Sequence, residues 1–242
     1  MRRAVSIVLA AAAMIAAAPA TAAEETAPAG PKLARLEGTA SLDRHRPVIG
    51  AAILASASGD RPLLWLTSTD DKGLFYFERL PEGTYRVELK REGYAPIVKE
   101  GVAVRFPYRA VVEVRLVPDA AAKAPASRAE GQAGNRVRLS GAVGVRGAGP
   151  LGEARVRLVR ADGTEDPRST LTLPDGSFEI GDVPAGSWRI EVLGAGYLPA
   201  RVNVELAQDA RLTAILVQQP ANYVAPALDL LSQEEPIPPP AR

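Results

Sequence analysis

An internal duplication constrains the fold of this chain more than any other feature of its sequence. Gly50-Ala51-Ala52 recurs as Gly152-Glu153-Ala154 at a spacing of 102, which predicts a one-residue difference in a loop. A constant spacing across several turn motifs indicates two tandem copies of one folded unit. Three further motifs recur at a spacing of 103: Gly73-Leu74-Phe75 as Gly176-Ser177-Phe178, Leu80-Pro81-Glu82-Gly83-Thr84-Tyr85 as Val183-Pro184-Ala185-Gly186-Ser187-Trp188, and Gly93-Tyr94 as Gly196-Tyr197.

The duplication also sets the domain boundaries. The two copies span residues 34–118 and 136–218, here called module 1 and module 2. Residues 119–135 are rich in Ala and Gly and lack periodicity, which predicts a flexible linker. Residues 219–242 form a tail that ends in Pro236-Ile237-Pro238-Pro239-Pro240, a composition that favours an extended polyproline conformation.

Residues 1–23 have the pattern of a secretory signal peptide. Two arginines precede an apolar run from Ala4 to Ala18, and Ala20 and Ala22 fit an A-x-A cleavage site. An uncleaved anchor is the alternative, but the run is short for a membrane span of about 20 residues. We expect an exported protein, periplasmic or extracellular on a bacterium, with no stable membrane span after cleavage.

Inside each module, apolar and polar residues alternate. Tyr85, Val87 and Leu89 alternate with Arg86 and Glu88, and the counterpart segment in module 2 does the same. A period of two predicts antiparallel strands with one face in a core and one in water. The chain has 21 Gly and 21 Pro, enough for many turns, so the sequence predicts an all-β protein built from β-sandwiches.

The repeated positions have structural explanations that need no appeal to function. The paired aromatic positions Phe75/Phe178 and Tyr85/Trp188 are assigned to the two cores. The Pro-x-Gly turns predict a positive φ at Gly83 and Gly186, where a β-branched residue would be strained.

The motif set resembles the carboxypeptidase regulatory-like domain. In module 1 the set comprises Gly50-Ala51-Ala52, Asp70-Asp71-Lys72-Gly73-Leu74-Phe75, Leu80-Pro81-Glu82-Gly83-Thr84-Tyr85 and Gly93-Tyr94. The resemblance implies a seven-stranded Greek-key sandwich with prealbumin-like topology. The fold class is then two tandem seven-stranded Greek-key β-sandwiches joined by a flexible linker. The resemblance also implies a non-catalytic module of the kind appended to peptidases, outer-membrane receptors or surface proteins.

Composition argues against most catalytic and nucleic-acid-binding functions. The chain has no Cys, a single His and a net charge of +1. A charge so close to zero gives no electrostatic reason to expect nucleic acid as a partner. His45 is interpreted as a solvated loop residue, and Asp70-Asp71 as a hairpin turn in preference to a calcium site. We expect no catalytic residue, cofactor or metal ion.

Module 1 contains aromatic residues that module 2 lacks: Trp65, Tyr76, Phe106 and Tyr108. Tyr76 lies between two residues assigned to the core, and its counterpart is Glu179, so alternation places its ring on the outer face. Scattered surface aromatics and additional core packing are the simpler explanation. The functional hypothesis is that these four residues form a surface for a ligand or partner.

Three functions fit these observations. The first is a non-catalytic cell-envelope protein that acts as an interaction module or structural spacer, whose modules fold independently. The second is a carbohydrate-binding protein that uses the module 1 aromatics. The third is an accessory subunit of a peptidase or outer-membrane receptor. The expected partner is an envelope protein or a polysaccharide.

Overall fold

Two consecutive sets of β-strands make up the protein. The computed structural model describes residues 32–42, 46–59, 61–119, 135–221 and 223, and every regular element in these ranges is a strand. The signal segment, His45, nearly all of the linker and most of the tail lie outside the described residues. Module 1 contains β1 (Leu33–Ser41), β2 (Ala52–Ala57), β3 (Leu63–Ser68), β4 (Leu74–Pro81), β5 (Gly83–Lys90), β6 (Ile97–Val104) and β7 (Arg109–Arg115). Module 2 contains β8 (Arg136–Val145), β9 (Gly149–Pro150), β10 (Arg155–Arg160), β11 (Arg168–Leu171), β12 (Ser177–Pro184), β13 (Gly186–Leu193), β14 (Ala200–Leu206) and β15 (Ala210–Leu216).

Each module has the same two-layer arrangement. In module 1, a three-stranded layer in the order β4-β1-β7 packs on a four-stranded layer in the order β3-β2-β5-β6. In module 2, the layers are β12-β8-β15, with the short β9 on β8, and β11-β10-β13-β14. The first and last long strands of each module pair in parallel, and the remaining pairs within a module are antiparallel. The prediction of tandem seven-stranded sandwiches is confirmed, since β9 is only two residues long.

The paired aromatic positions lie in the two cores, as predicted. Phe75, Tyr85 and Trp188 are almost completely buried, and Phe178 is also buried. The Tyr85 hydroxyl donates a hydrogen bond to the Pro81 carbonyl at 2.8 Å, and the Trp188 indole Nε1 donates to the Pro184 carbonyl at 2.9 Å. Tyr and Trp can replace each other at this position because each places an apolar ring in the core and donates a hydrogen bond to the carbonyl of the equivalent proline.

The two modules also share a sheet, which the sequence did not predict. Strand β15 of module 2 pairs in parallel with β3 of module 1, from Arg211 opposite Leu63 to Ile215 opposite Thr67. The three-stranded layer of module 2 and the four-stranded layer of module 1 therefore form one continuous sheet, in the order β12-β8-β15-β3-β2-β5-β6. The sequence predicted two sandwiches joined by a linker, and it did not indicate that they also pair edge to edge. We call this junction the seam.

Two details of the repeat also differ from expectation. The hydroxyl oxygen of Thr69 accepts a hydrogen bond from the Ala51 amide, and that of Thr172 accepts one from the Ala154 amide, each at 2.9 Å. Gly50 therefore corresponds to Glu153, so the spacing is 103 here as well and no loop residue is gained or lost. The second difference concerns the Pro-x-Gly turns, because only Gly186 of the expected pair has a positive φ, at 141°.

Candidate functional site

On the module 1 side of the seam, β2 and β3 carry buried apolar residues on both faces. In β2, Ile53 and Ala55 belong to the core of module 1, whereas Leu54 points the other way and is equally buried. Leu54, with Leu64 and Leu66 of β3, packs into the core of module 2 beneath β14. A strand that is covered on both faces has a continuous run of apolar residues in its sequence. The Leu63-Leu64-Trp65-Leu66 segment of β3 has this pattern. This run is the sequence signal that could have indicated the seam.

The corresponding face of module 2 is charged. Ala52 and Leu54 of module 1 correspond to Arg155 and Arg157 of module 2 at the common spacing of 103. Arg157, Arg189 and Arg201 surround the buried carboxylate of Glu191, with nitrogen–oxygen distances of 3.7, 3.2 and 3.7 Å. Arg86 and Glu88 of module 1 match Arg189 and Glu191, so the two copies differ on this face at Ala52 and Leu54, which module 2 covers, and at Arg155 and Arg157, which stay polar.

A second contact joins the modules beside the seam. Arg146, in the turn between β8 and β9, places one guanidinium nitrogen 2.8 Å from the Asp70 carboxylate of module 1. The same guanidinium lies over the Tyr76 ring, 4.5 Å from its centre, an attractive cation–π geometry. Asp70 and Arg146 are both largely shielded from solvent, so this ion pair is less screened than one on the open surface. Asp70 and Tyr76 thereby hold an element of module 2 in place.

A cavity of about 500 Å³ opens next to this contact. Its wall combines the module 1 residues Trp65 and Tyr76 with the module 2 residues Arg146, Thr213 and Ile215. The lining is mainly apolar with a few cationic groups, which is the usual composition of a site for a small organic ligand. Neither module contributes the whole cavity, so it exists only when the seam is formed.

The four aromatic residues singled out by the sequence fall into two pairs. Trp65 and Tyr76 are half-buried and line the seam cavity, and Trp65 also packs edge-on against Tyr85 at 5.5 Å between ring centres. Phe106 and Tyr108 lie between β6 and β7 with 52% and 73% of their surface exposed, and they do not line this cavity. Only Trp65 and Tyr76 of the four line this cavity, and one face of the Tyr76 ring is covered by Arg146.

The interpretation of Asp70 as a turn residue agrees with its contacts. One carboxylate oxygen accepts hydrogen bonds from the Lys72 and Leu74 amides at 3.0 and 2.8 Å, and the other is paired with Arg146. Across the described ranges there is no cluster of three or more His, Cys, Asp or Glu side chains that would suit a metal ion. Within those ranges there is also no helix long and apolar enough to cross a bilayer.

Three features define the class of small all-β module to which each copy belongs. The first and last strands pair in parallel, a Pro-x-Gly turn joins two strands, and a buried aromatic residue packs beside that turn. The family model for the carboxypeptidase regulatory-like domain matches residues 35–117 and 138–217. The chain belongs to this family and carries two copies of its domain. Among curated proteins, none matches the chain.

Several solved structures are distantly similar to the chain. It is 17% identical to the Bacillus anthracis TIE protein over 77% of its own length, with a TM-score of 0.31, and spans only 34% of that protein. It is 13% identical to GBS52, the minor pilin of Streptococcus agalactiae, with 80% of this chain and 99% of that chain covered and a TM-score of 0.31. The shaft pilin SpaA from Lactobacillus rhamnosus GG is 11% identical, with 81% and 100% covered and a TM-score of 0.27.

Proposed function

We propose that this chain is a non-catalytic, exported protein of the bacterial cell envelope, in which the two sandwiches act as one preassembled interaction or spacer unit. The seam is the observation that carries this proposal. Leu54, Leu64 and Leu66 are buried in the core of the neighbouring module, and Thr67 donates its hydroxyl to the Ile215 carbonyl across the junction at 2.9 Å. A unit that spaces or docks other components needs a fixed separation between its parts, and these contacts supply one.

The partner contact is assigned to the loop that carries Phe106 and Tyr108. Both rings are exposed, and Arg105 and Arg109 flank them. Exposed aromatic residues mixed with arginine are typical of protein interfaces because they combine apolar area with a few directed polar contacts. Export is supported by the signal-peptide pattern of residues 1–23.

Site-specific photocrosslinking in a bacterial envelope tests this proposal. A photoreactive residue at position 108 is expected to give a discrete adduct with a protein other than this chain, whereas the same residue at position 98 should give none, because Val98 is also exposed but lies outside the loop. Breaking the seam with Leu54→Arg should weaken the adduct at position 108. A chain that keeps its first 23 residues and stays in the cytoplasm would contradict the proposal, as would equal labelling at positions 98 and 108.

Carbohydrate binding is the second candidate, and the exposed Phe106 and Tyr108 rings are what favour it, since exposed aromatic rings stack on sugars. A glycan array probed with the wild-type chain and with Tyr108→Ala distinguishes the two. Glycan binding that disappears in Tyr108→Ala, without a protein adduct, would favour the carbohydrate function. An adduct whose other half is a peptidase or an outer-membrane receptor would favour the accessory-subunit function.

A further inference from the structure

The outer edge of β7 has no neighbouring strand in the part of the chain that the structure describes. Among the described residues, β7 is paired only with β1, at the end of the three-stranded layer of module 1. The Leu116 amide, just past the strand, donates to the Ser41 carbonyl at 2.8 Å, so even-numbered positions direct their main-chain groups toward β1. Because these groups alternate along a strand, the N–H and C=O groups of Arg109, Val111 and Glu113 face away from the sheet, toward the open edge.

The repeat shows that this edge of the sandwich accepts another strand. The equivalent of β7 in module 2 is β15, and its outer edge is occupied by β3. Leu212 pairs with Gly141 as Val112 pairs with Gly38, so Arg211 is the counterpart of Val111. The Arg211 amide donates across the seam to the Pro62 carbonyl at 3.0 Å, whereas the described residues provide no such acceptor for Val111.

The outer face of β7 is self-complementary. Arg109, Val111 and Glu113 all point outward, and Val111 is 57% exposed. If two β7 strands lie antiparallel with Val111 opposite Val111, each Arg109 is opposite a Glu113. Opposite charges directly across an antiparallel pair are stabilising, and like charges are destabilising. In this register Arg109, Val111 and Glu113 face one another, and the main-chain groups of all three point outward, so backbone and side chains fit the same alignment. Arg115 lies opposite Pro107, which has no N–H, so the pairing ends there.

The exposed apolar residues near β7 fit the same alignment. Phe106 and Tyr108 precede the strand, and Val117, which is 62% exposed, follows it. Antiparallel pairing brings the beginning of one β7 strand beside the end of the other. The two aromatic rings of one copy then lie near Val117 of the second copy, and apolar surface that is wet in the single chain becomes covered.

Head-to-tail association through β11 is the competing arrangement, and the sequence opposes it. In module 2, β11 occupies the place that β3 has in module 1. A head-to-tail contact that copied the seam would therefore pair β7 of one copy with β11 of the next. Pro167 stands where module 1 has Leu64, and it has no N–H to donate to a neighbouring parallel strand. The adjacent face carries Arg155 and Arg157 in place of Ala52 and Leu54, so the apolar packing of the seam is not reproduced.

We propose that this chain forms a two-fold symmetric dimer in which β7 of one copy pairs antiparallel with β7 of a second copy, centred on Val111. The dimer uses the same Phe106 and Tyr108 rings as the proposed partner contact, but its test contains only this chain, so the two proposals can fail separately. A two-fold contact of this kind closes on itself and does not grow into a filament.

Sedimentation equilibrium of the full chain, with three charge variants, tests the dimer. Glu113→Arg places two arginines opposite each other at both ends of the pair and should weaken dimerisation at least about tenfold. Arg109→Glu should do the same by pairing two acids. An equimolar mixture of the two variants restores both opposite-charge pairs, so the heterodimer should be tighter than the homodimer of either variant.

Two further samples keep the test decisive. Arg109 also forms an ion pair with Glu37 at 2.9 Å, so the thermal midpoint of Arg109→Glu must be measured to show that the variant is still folded. Val111→Lys changes the residue on the dimer axis and leaves that ion pair intact. Leu171→Lys on β11 is the matched control and should leave the dimer intact. The proposal is overturned if the wild-type chain is monomeric into the high micromolar range. It is also overturned if association survives Glu113→Arg and Val111→Lys but is lost in Leu171→Lys.

Discussion

At the scale of single residues, the turns after Pro81 and Pro184 differ in how much they need glycine. A Cβ added at Gly186, where φ is +141°, would lie 3.1 Å from the Arg160 guanidinium, which itself covers the Trp188 ring. At Gly83 the nearest atom is 3.7 Å away, in the Tyr85 ring, and φ is not positive. We expect Gly186→Val to cost about 1–3 kcal/mol of unfolding free energy and Gly83→Val less than about 1 kcal/mol. Urea unfolding of both variants measures this difference, and equal costs would contradict it.

Glu153 occupies a backbone conformation that favours glycine. Its φ is 59°, and its counterpart in module 1 is Gly50 with a φ of 69°. A non-glycine residue in the left-handed region is strained, so Glu153→Gly should raise the unfolding free energy by about 0.5–1 kcal/mol. The reciprocal Gly50→Glu should lower it, and a denaturant titration of both variants checks the opposite signs. A loss of stability in Glu153→Gly would show that its side chain makes a contact more important than the strain.

The buried Tyr85 hydroxyl makes module 1 sensitive to alkaline pH. Burial raises the pKa of Tyr85 to about 12, whereas an exposed tyrosine titrates near pH 10. Because the folded pKa is the higher one, this contribution to stability is complete below pH 10 and is lost as the pH rises toward 12. Thermal midpoints measured from pH 8 to pH 12 should therefore fall more steeply in the wild-type chain than in Tyr85→Phe. The variant should lose about 1 kcal/mol at pH 8, where its hydrogen bond to Pro81 is missing. Parallel curves for the two proteins would contradict this assignment.

At the scale of elements, β2 and β3 stabilise the molecule from both faces. Replacing Leu54 with the residue found at its module 2 counterpart, in Leu54→Arg, would remove an apolar side chain from the core of module 2 and bury a guanidinium there, with only Glu88 opposite it on β5 as a partner. We expect a loss of at least about 2 kcal/mol, because the leucine packing is lost and the desolvation of a buried charge is only partly offset by an ion pair. Arg155→Leu is the control on the uncovered face of module 2, and it should change stability by no more than about 0.5 kcal/mol. Calorimetry on both variants gives the comparison, and a small effect of Leu54→Arg would mean that the seam opens readily.

At the scale of the whole molecule, the seam couples the two sandwiches. Module 2 alone loses Leu54, Leu64 and Leu66 from its core and exposes the edge of β15, while module 1 alone exposes those three side chains to water. We expect the intact chain to melt in one transition. Residues 34–118 and 136–218 expressed separately should each melt at a lower temperature, and module 1 should self-associate through its exposed apolar strip. Separate transitions in the intact chain, at the temperatures of the isolated modules, would restore the expectation of independent folding.

The sequence alone was sufficient to determine the repeat, the strands and both cores. Those features depend on local signals, namely turn motifs at constant spacing and an apolar period of two, and the buried Phe75, Tyr85, Phe178 and Trp188 follow from them. Local signals also placed Tyr76 on the outer face of its strand. They did not indicate that Arg146 would cover that ring, because the contact joins residues from different modules.

The seam was decided only by the tertiary structure. The apolar run in β3 indicates a strand buried on both faces, but it does not say which element covers the second face. The answer depends on a pairing between Thr67 and Ile215, which are 148 residues apart. No periodicity in a single sequence extends over that distance. The cavity that Tyr76 and Arg146 line together is a consequence of the same long-range pairing.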